Sequence, residues 1–178
     1  METITFILSI FATALATAII GILNEKYLNR PQGIAANIDT FPLLFKPSIN
    51  DIGVKVVITY HEEVAEYEDL YNVTVDIENL SNKNYDSFKF GIDFTNGDKT
   101  VYATATGKDR LHAITLLEIP EFSKPLEKMD LICKPFHKRD KYTVNALVSI
   151  PEGCRTTSTV NILIDGRFKI INQGTFGN

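Results

Sequence analysis

The chain has 178 residues, of which 22 are acidic and 18 are lysine or arginine, so its formal net charge is −4. Because proteins that bind long nucleic acids are usually basic, this balance argues against a DNA or RNA polymer as the partner. An apolar N-terminal run is followed by roughly 140 residues, enough for one domain with its own core. We expect no second domain.

The N-terminal residues 3–23 are apolar and contain no charged side chain. As a helix they would extend about 31 Å, which matches the hydrocarbon core of a bilayer. A cleaved secretory signal is the alternative, but such signals begin with basic residues, whereas the first cations here are Lys26 and Arg30. Cations next to a span favour the cytoplasmic side. We therefore predict a single-pass inner-membrane anchor, residues 1–25, with the C-terminal domain in the cytoplasm.

Small residues recur every four positions along this run, at Ser9, Thr13, Thr17 and Gly21. Such a ridge lets two helices approach closely in lipid, where association depends on tight packing and on hydroxyl hydrogen bonds. The pattern predicts that the anchor forms a homo-oligomer. The alternative is that alanine and threonine are simply frequent in membrane spans.

A connector follows the anchor at residues 26–47. Its prolines disfavour a long helix between membrane and domain, and we interpret it as an irregular stalk. The apolar segment Phe41–Phe45 within it is expected either to pack on the domain or to lie at the membrane interface.

From Val54 onward the hydrophobic period is two, and β-branched and aromatic residues occupy the apolar positions. The pattern predicts a mainly β domain over residues 48–178, an antiparallel sandwich or barrel. The stretch Val73–Leu80, followed by a polar loop and Phe88–Phe94, resembles the middle of an immunoglobulin-like sandwich. The predicted strands are Val54–Tyr60, Tyr71–Glu78, Phe88–Phe94, Lys99–Ala105, Ile114–Ile119, Met129–Phe136, Tyr142–Ile150, Thr159–Ile164 and Arg167–Ile171.

Two dipeptides predict hairpins, because a type I′ turn needs positive φ at both central positions. They are Asn96-Gly97 and Asp165-Gly166. The acidic segment Glu62–Leu70 is interpreted as a short helix or an acidic loop. Cys133 and Cys154 could pair or remain thiols, although strand register does not predict a direct bridge.

The sequence shows no glycine-rich phosphate loop, nucleophile elbow or Walker pattern, and we predict that the protein is not an enzyme. Its three histidines, His61, His112 and His137, lack the paired spacing of a zinc site. We expect no metal and no cofactor.

A basic cluster near the C-terminal third predicts an anion-binding site. Phe136 and Tyr142 could offer ring faces to a nucleotide base. The alternatives are a solvated hairpin tip or a surface drawn to anionic lipid. The cluster and a second basic group in another loop supply the candidate ligand-binding residues: Lys134, His137, Lys138, Arg139, Lys141 and Tyr142, with Lys108 and Arg110.

The layout of one N-terminal span, the cations Lys26 and Arg30, and a β domain with these basic groups resembles the type III CRISPR-associated membrane effectors of antiviral defence. The resemblance implies an oligomer that binds cyclic oligoadenylate, such as cyclic tetra-adenylate, and acts at the membrane without catalysis. Two other functions remain open. The domain could be a tethered adaptor for a protein partner, or an extracytoplasmic binding domain if the orientation is reversed.

Overall fold

The computed structural model describes residues 15–23, 32–44, 55–60, 63–67, 69–151, 159–164 and 168–172. The chain divides into two compact units, residues 1–32 and 33–178.

In the first unit, residues 15–23 are helical, and Thr17 and Gly21 lie one turn apart on this helix. Ser9 and Thr13 lie outside the described residues, as does the rest of the predicted anchor up to residue 14. Among the helices that the structure describes, none has the length and apolar character needed to cross a bilayer.

From Gln32 onward, the described residues form eleven strands, which confirms the prediction of a mainly β fold. In chain order they are β1 (Gln32–Leu44), β2 (Val56–Tyr60), β3 (Glu63–Tyr67), β4 (Leu70–Asn79), β5 (Phe88–Phe94), β6 (Lys99–Thr106), β7 (Ala113–Leu116), β8 (Lys128–Lys134), β9 (Lys141–Ser149), β10 (Val160–Ile164) and β11 (Phe168–Asn172).

These strands form two main sheets and one small one. A five-stranded sheet has the order β11-β1-β4-β9-β6, a four-stranded sheet has the order β10-β5-β8-β7, and β2 pairs with β3 alone. The pairs β1–β4, β4–β9, β6–β9, β5–β8, β7–β8 and β5–β10 are antiparallel. One hydrophobic core joins side chains of both main sheets, as in a β-sandwich.

The alternation of β4 explains how this core is built. Tyr71, Val73, Val75 and Ile77 are almost completely buried, and the polar residues between them face outward. Each such side chain contributes roughly 1.5–3 kcal/mol through burial. Across the core, β5 supplies aromatic partners, and its Phe88 ring stacks on Phe136 with ring centroids 4.4 Å apart.

The predicted hairpins are wrong in their pairing. Asn96 and Gly97 adopt φ values of 63° and 78°, as the turn signal requires. The strands on either side nevertheless belong to different sheets, because β5 pairs with β8 and β10 while β6 pairs with β9. β10 and β11 also lie in different sheets, and the Asp165-Gly166 turn lies outside the described residues.

The interpretation of residues 26–47 as an irregular stalk is wrong for its central part. Residues 32–44 form β1, which pairs with β4 from Ile34 opposite Asn79 onward. The β1 side chains Ile34, Ala36 and Ile38 alternate toward the core. Pro42 is tolerated because the register shifts just after it, and proline is compatible with such irregularities.

The acidic segment is also a strand where the structure describes it. Glu63–Tyr67 pairs with Val56–Tyr60, so the interpretation as a helix or acidic loop is wrong there. Lys55 forms an ion pair with Glu66 at 3.2 Å. Cross-strand pairing thus overrides the acidic composition, because β-branched and aromatic side chains still suit a pleated surface.

Candidate functional site

Two connections run between the main sheets at the same place. Residues 107–112 join β6 to β7, and residues 135–140 join β8 to β9. We call these two segments the crossing loops. The antiparallel register puts Ala113 opposite Lys134, so one crossing loop ends beside the start of the other. The basic cluster is therefore not a hairpin tip, since β8 and β9 do not pair.

Asn79, at the end of β4, fixes the second crossing loop. Its side-chain amide donates to the carbonyl oxygens of Phe136 and Lys83, both at 3.0 Å. Its side-chain oxygen accepts from the backbone N–H and the hydroxyl of Ser81, at 2.9 and 2.6 Å. The backbone of Asn79 also bonds to Arg139 and Asp140. This network holds Arg139 at a φ of 67°, a left-handed conformation that costs a non-glycine residue about 1 kcal/mol.

The first crossing loop is closed by a tight approach at Gly107. A Cβ atom added at this glycine would collide with the backbone oxygen of His112, so any other residue would force the backbone to shift. Within the loop, the Asp109 carboxylate accepts from the Leu111 N–H at 2.8 Å. The loop therefore presents His112 in a defined position.

The His112 ring lies between two carboxylates. Its Nδ1 is 2.8 Å from Asp109 Oδ1, and its Nε2 is 3.2 Å from Asp140 Oδ2. The hydrogen bond with Asp109 raises the pKa of His112, and the charges of Asp140 and Asp109 act in the same direction against partial burial and Lys108. The same hydrogen bond lowers the pKa of Asp109. Both ring nitrogens can thus act as donors to acids.

Asp140 connects the two crossing loops. Its side chain is only 6% exposed, and its Oδ2 accepts the backbone N–H of His137 at 2.7 Å. The His137 Nδ1 atom lies 3.9 Å from the same oxygen. One ligand atom from each of His112, His137 and Asp140 lies within 4.8 Å of the other two, so these residues could hold a metal ion.

The predicted cations lie on the crossing loops or next to them in the chain, and they differ in their ion pairs. Lys141 Nζ is 2.7 Å from Asp76, and Arg139 is 3.8 Å from Glu78. In contrast, the structure shows no ion pair with any described residue for four exposed cations. These are Lys108 and Arg110 on the first crossing loop, and Lys134 and Lys138 beside and on the second.

Tyr142 requires a correction. It and Phe136 are fully buried in the core, so neither ring face is available to stack on a base. The Tyr142 hydroxyl donates to the Pro135 carbonyl oxygen. Burial is the main cause that raises the pKa of this hydroxyl above its usual value. Tyr142 therefore helps to hold the second crossing loop from the side of the core.

Sequence reasoning missed Asp109, Asp140 and Asn79. Asp140 lies inside the basic cluster three residues after His137, and Asp109 lies three residues before His112, so each His–Asp spacing is visible in the sequence. That the two pairs form one cluster could not be predicted from this spacing. The two histidines are 25 positions apart, and the pairing of β7 with β8 brings them together.

Comparison of the sequence with protein-family models and with curated proteins finds no match.

Proposed function

We propose that the β domain binds an anionic, phosphate-bearing ligand at the crossing loops and performs no chemistry on it. The observation that carries this proposal is the set of four exposed cations, on the two crossing loops and at the end of β8, that lack an acidic partner among the described residues. An unpaired cation forms a charge-assisted contact with phosphate without first giving up a salt bridge. Arg110 can contact two phosphate oxygens at once, whereas a lysine acts as a point charge.

The proposal extends to the membrane. Residues 3–23 are the proposed single transmembrane helix, with the domain on the cytoplasmic side of the inner membrane. The ridge of Ser9, Thr13, Thr17 and Gly21 is proposed to hold several copies together. A ligand that binds one arrangement of copies more tightly than another would shift the spans toward that arrangement.

The layout-level resemblance to the CRISPR-associated membrane effectors makes cyclic oligoadenylates the first ligands to test. Under this proposal the protein is a non-enzymatic effector of antiviral defence. The buried rings of Phe136 and Tyr142 mean that the contacts would be made to phosphates, with no stacking on those two side chains.

The binding test uses the full chain in detergent and isothermal titration with cyclic di-, tri-, tetra- and hexa-adenylate. Inorganic phosphate serves as a charge-only probe. We expect the double substitution Lys134→Glu and Lys138→Glu to weaken binding about 100-fold, because two charge-assisted contacts at about 1.5 kcal/mol each are lost. Lys169→Glu is the matched control, an exposed charge reversal on β11.

Absence of binding to every cyclic oligoadenylate would exclude that ligand class. If a phosphate-bearing ligand binds but the double variant retains wild-type affinity, the site lies elsewhere. Because Lys169→Glu reverses one charge and the double variant reverses two, a free-energy loss in Lys169→Glu half as large as that in the double variant would mean that only the overall charge matters.

The membrane part is tested separately by alkaline carbonate extraction of cell membranes. The full chain should stay with the lipid, and a chain lacking residues 3–23 should be released. Release of the full chain would refute the anchor without affecting the binding proposal.

An adaptor is the second candidate, and one observation favours it. On the edge strand β6, the half-exposed Tyr102 stacks on Phe122 with ring centroids 6.2 Å apart. Leu117 and Ile119 are exposed on the segment that carries Phe122. If the protein is an adaptor, Tyr102→Ser should abolish binding of the protein partner and Lys138→Glu should leave it unchanged. If it is a phosphate-binding effector, Lys138→Glu should weaken ligand binding and Tyr102→Ser should leave it unchanged.

A further inference from the structure

We propose that His112, His137 and Asp140 bind one divalent transition-metal ion, with zinc the best match. Each residue directs one ligand atom into a common space, and these atoms lie within 4.8 Å of one another. Zinc bonds of about 2.0–2.1 Å in a tetrahedron place neighbouring ligand atoms roughly 3.3 Å apart. The 3.2 Å separation of His112 Nε2 from Asp140 Oδ2 already matches that spacing.

His137 completes the set by a small movement. Its Nδ1 lies 3.9 Å from Asp140 Oδ2, slightly more than a tetrahedral site requires. The His137 side chain is 47% exposed, whereas those of His112 and Asp140 are 15% and 6% exposed. The two packed ligands therefore form the fixed part of the site, and the exposed imidazole is the one that is free to adjust.

Asp109 orients the fixed histidine for this role. A metal-binding histidine usually donates its other ring N–H to a carboxylate, which fixes the tautomer and increases the basicity of the ligating nitrogen. His112 has this arrangement, with Nδ1 2.8 Å from Asp109 and Nε2 directed at Asp140. The Leu111 N–H in turn holds the Asp109 carboxylate at 2.8 Å.

The donor set selects the class of metal. Two imidazoles and one carboxylate suit zinc and its neighbours better than calcium or magnesium, which prefer oxygen ligands alone. Three protein ligands leave the fourth tetrahedral position to water or to an anion. The metal site shares the crossing loops and His137 with the candidate anion-binding residues, but the proposed phosphate contacts are made by lysines and an arginine, so either site can exist without the other.

Without a metal, the same geometry is a histidine ring placed between two carboxylates, which gives no reason for the protein to bind zinc. The test uses the full chain in detergent, without an affinity tag and stripped with a chelator. Zinc affinity is measured by competition with a fluorescent zinc chelator, and the visible absorption of bound Co²⁺ reports a tetrahedral site. We expect one ion per chain and a melting temperature that rises with zinc.

His137→Ala should weaken zinc binding at least tenfold, and its exposed position lets the variant fold. Asp109→Asn, which keeps the ligands but weakens the orienting acceptor, should weaken binding by about 10–100-fold. His61→Ala is the matched control, since it removes the third histidine of the chain and leaves all three ligands. Melting curves recorded without metal verify that each variant is folded.

Failure of the wild-type chain to compete with a chelator of micromolar affinity would overturn the proposal. So would wild-type affinity in His137→Ala. An equal loss in His61→Ala would likewise show that zinc binds to histidines generally and not at this site.

Discussion

The structure predicts that Asn79 determines whether the second crossing loop forms. Replacement by alanine removes four side-chain hydrogen bonds, two donated to Phe136 and Lys83 and two accepted from Ser81. A hydrogen bond contributes roughly 0.5–1.5 kcal/mol net, and buried groups left without a partner cost more. Because these bonds share one side chain, they are not additive, and we expect Asn79→Ala to cost about 3 kcal/mol.

A loss of about 3 kcal/mol corresponds to a fall in melting temperature of about 10 °C for a domain of this size. The assay is urea unfolding of the full chain in detergent, followed by circular dichroism. Asn72→Ala is the matched control on the same strand, because the Asn72 amide makes one long contact, 3.4 Å to Thr74, within the described part of the chain and is only partly buried. We expect the control to cost less than about 1 kcal/mol.

Asn79→Asp sharpens the test because it replaces the donating amide group by a carboxylate oxygen of nearly the same size. The introduced carboxylate would face the Phe136 and Lys83 carbonyl oxygens, which disfavours its charge and raises its pKa in the folded state. The cost is therefore largest above that raised pKa and decreases as the pH falls through it. Equal stability of Asn79→Ala and Asn72→Ala, or a loss in Asn79→Asp that does not depend on pH, would refute the reasoning.

Three further predictions concern the core and the first crossing loop. Tyr71→Phe should cost about 2 kcal/mol in urea unfolding, because the hydroxyl bonds to the buried Asp98 carboxylate at 2.6 Å; an unchanged midpoint would contradict this. Burial raises the pKa of Cys133 to about 12, so in a Cys154→Ser chain a thiol reagent at pH 8 should label the protein only after denaturant is added. Gly107→Ala should cost about 1–3 kcal/mol, since the new methyl group meets backbone and not a flexible side chain; wild-type stability would show that the approach is not constraining.

Strands with strong alternation could be predicted from the sequence, because side-chain direction in a strand is a local property. β4 is the clearest case, since Tyr71, Val73, Val75 and Ile77 face the core whichever strands pair beside it. The conformation of the Asn96-Gly97 turn could be predicted in the same way, because those two residue types themselves favour positive φ.

Strands with weak hydrophobic patterns could not be predicted, because they depend on pairing with neighbouring strands. In β1 the neighbours Ile34, Ala35 and Ala36 are all buried, so its alternation is weak, and β3 is rich in glutamate. Neither sequence has the strong hydrophobic alternation of β4, and each strand gains its backbone hydrogen bonds from a neighbouring strand. The same dependence explains why the predicted turn after β5 is present while the predicted hairpin is absent. Turn conformation depends on neighbouring residues, whereas the sheet that each strand joins depends on the packing of the whole core.

By itself, the sequence determined that this is a mainly β domain, which faces of its strong strands are buried, and that cations are concentrated near residues 134–141. Only the tertiary structure decided which strands pair, that Tyr142 is buried, and that His112 and His137 meet at Asp140. The physical reason is that alternation, turn conformation and charge are encoded over a few neighbouring residues. Sheet order and the convergence of two loops instead depend on contacts between residues far apart in the chain, selected by the packing of one shared core.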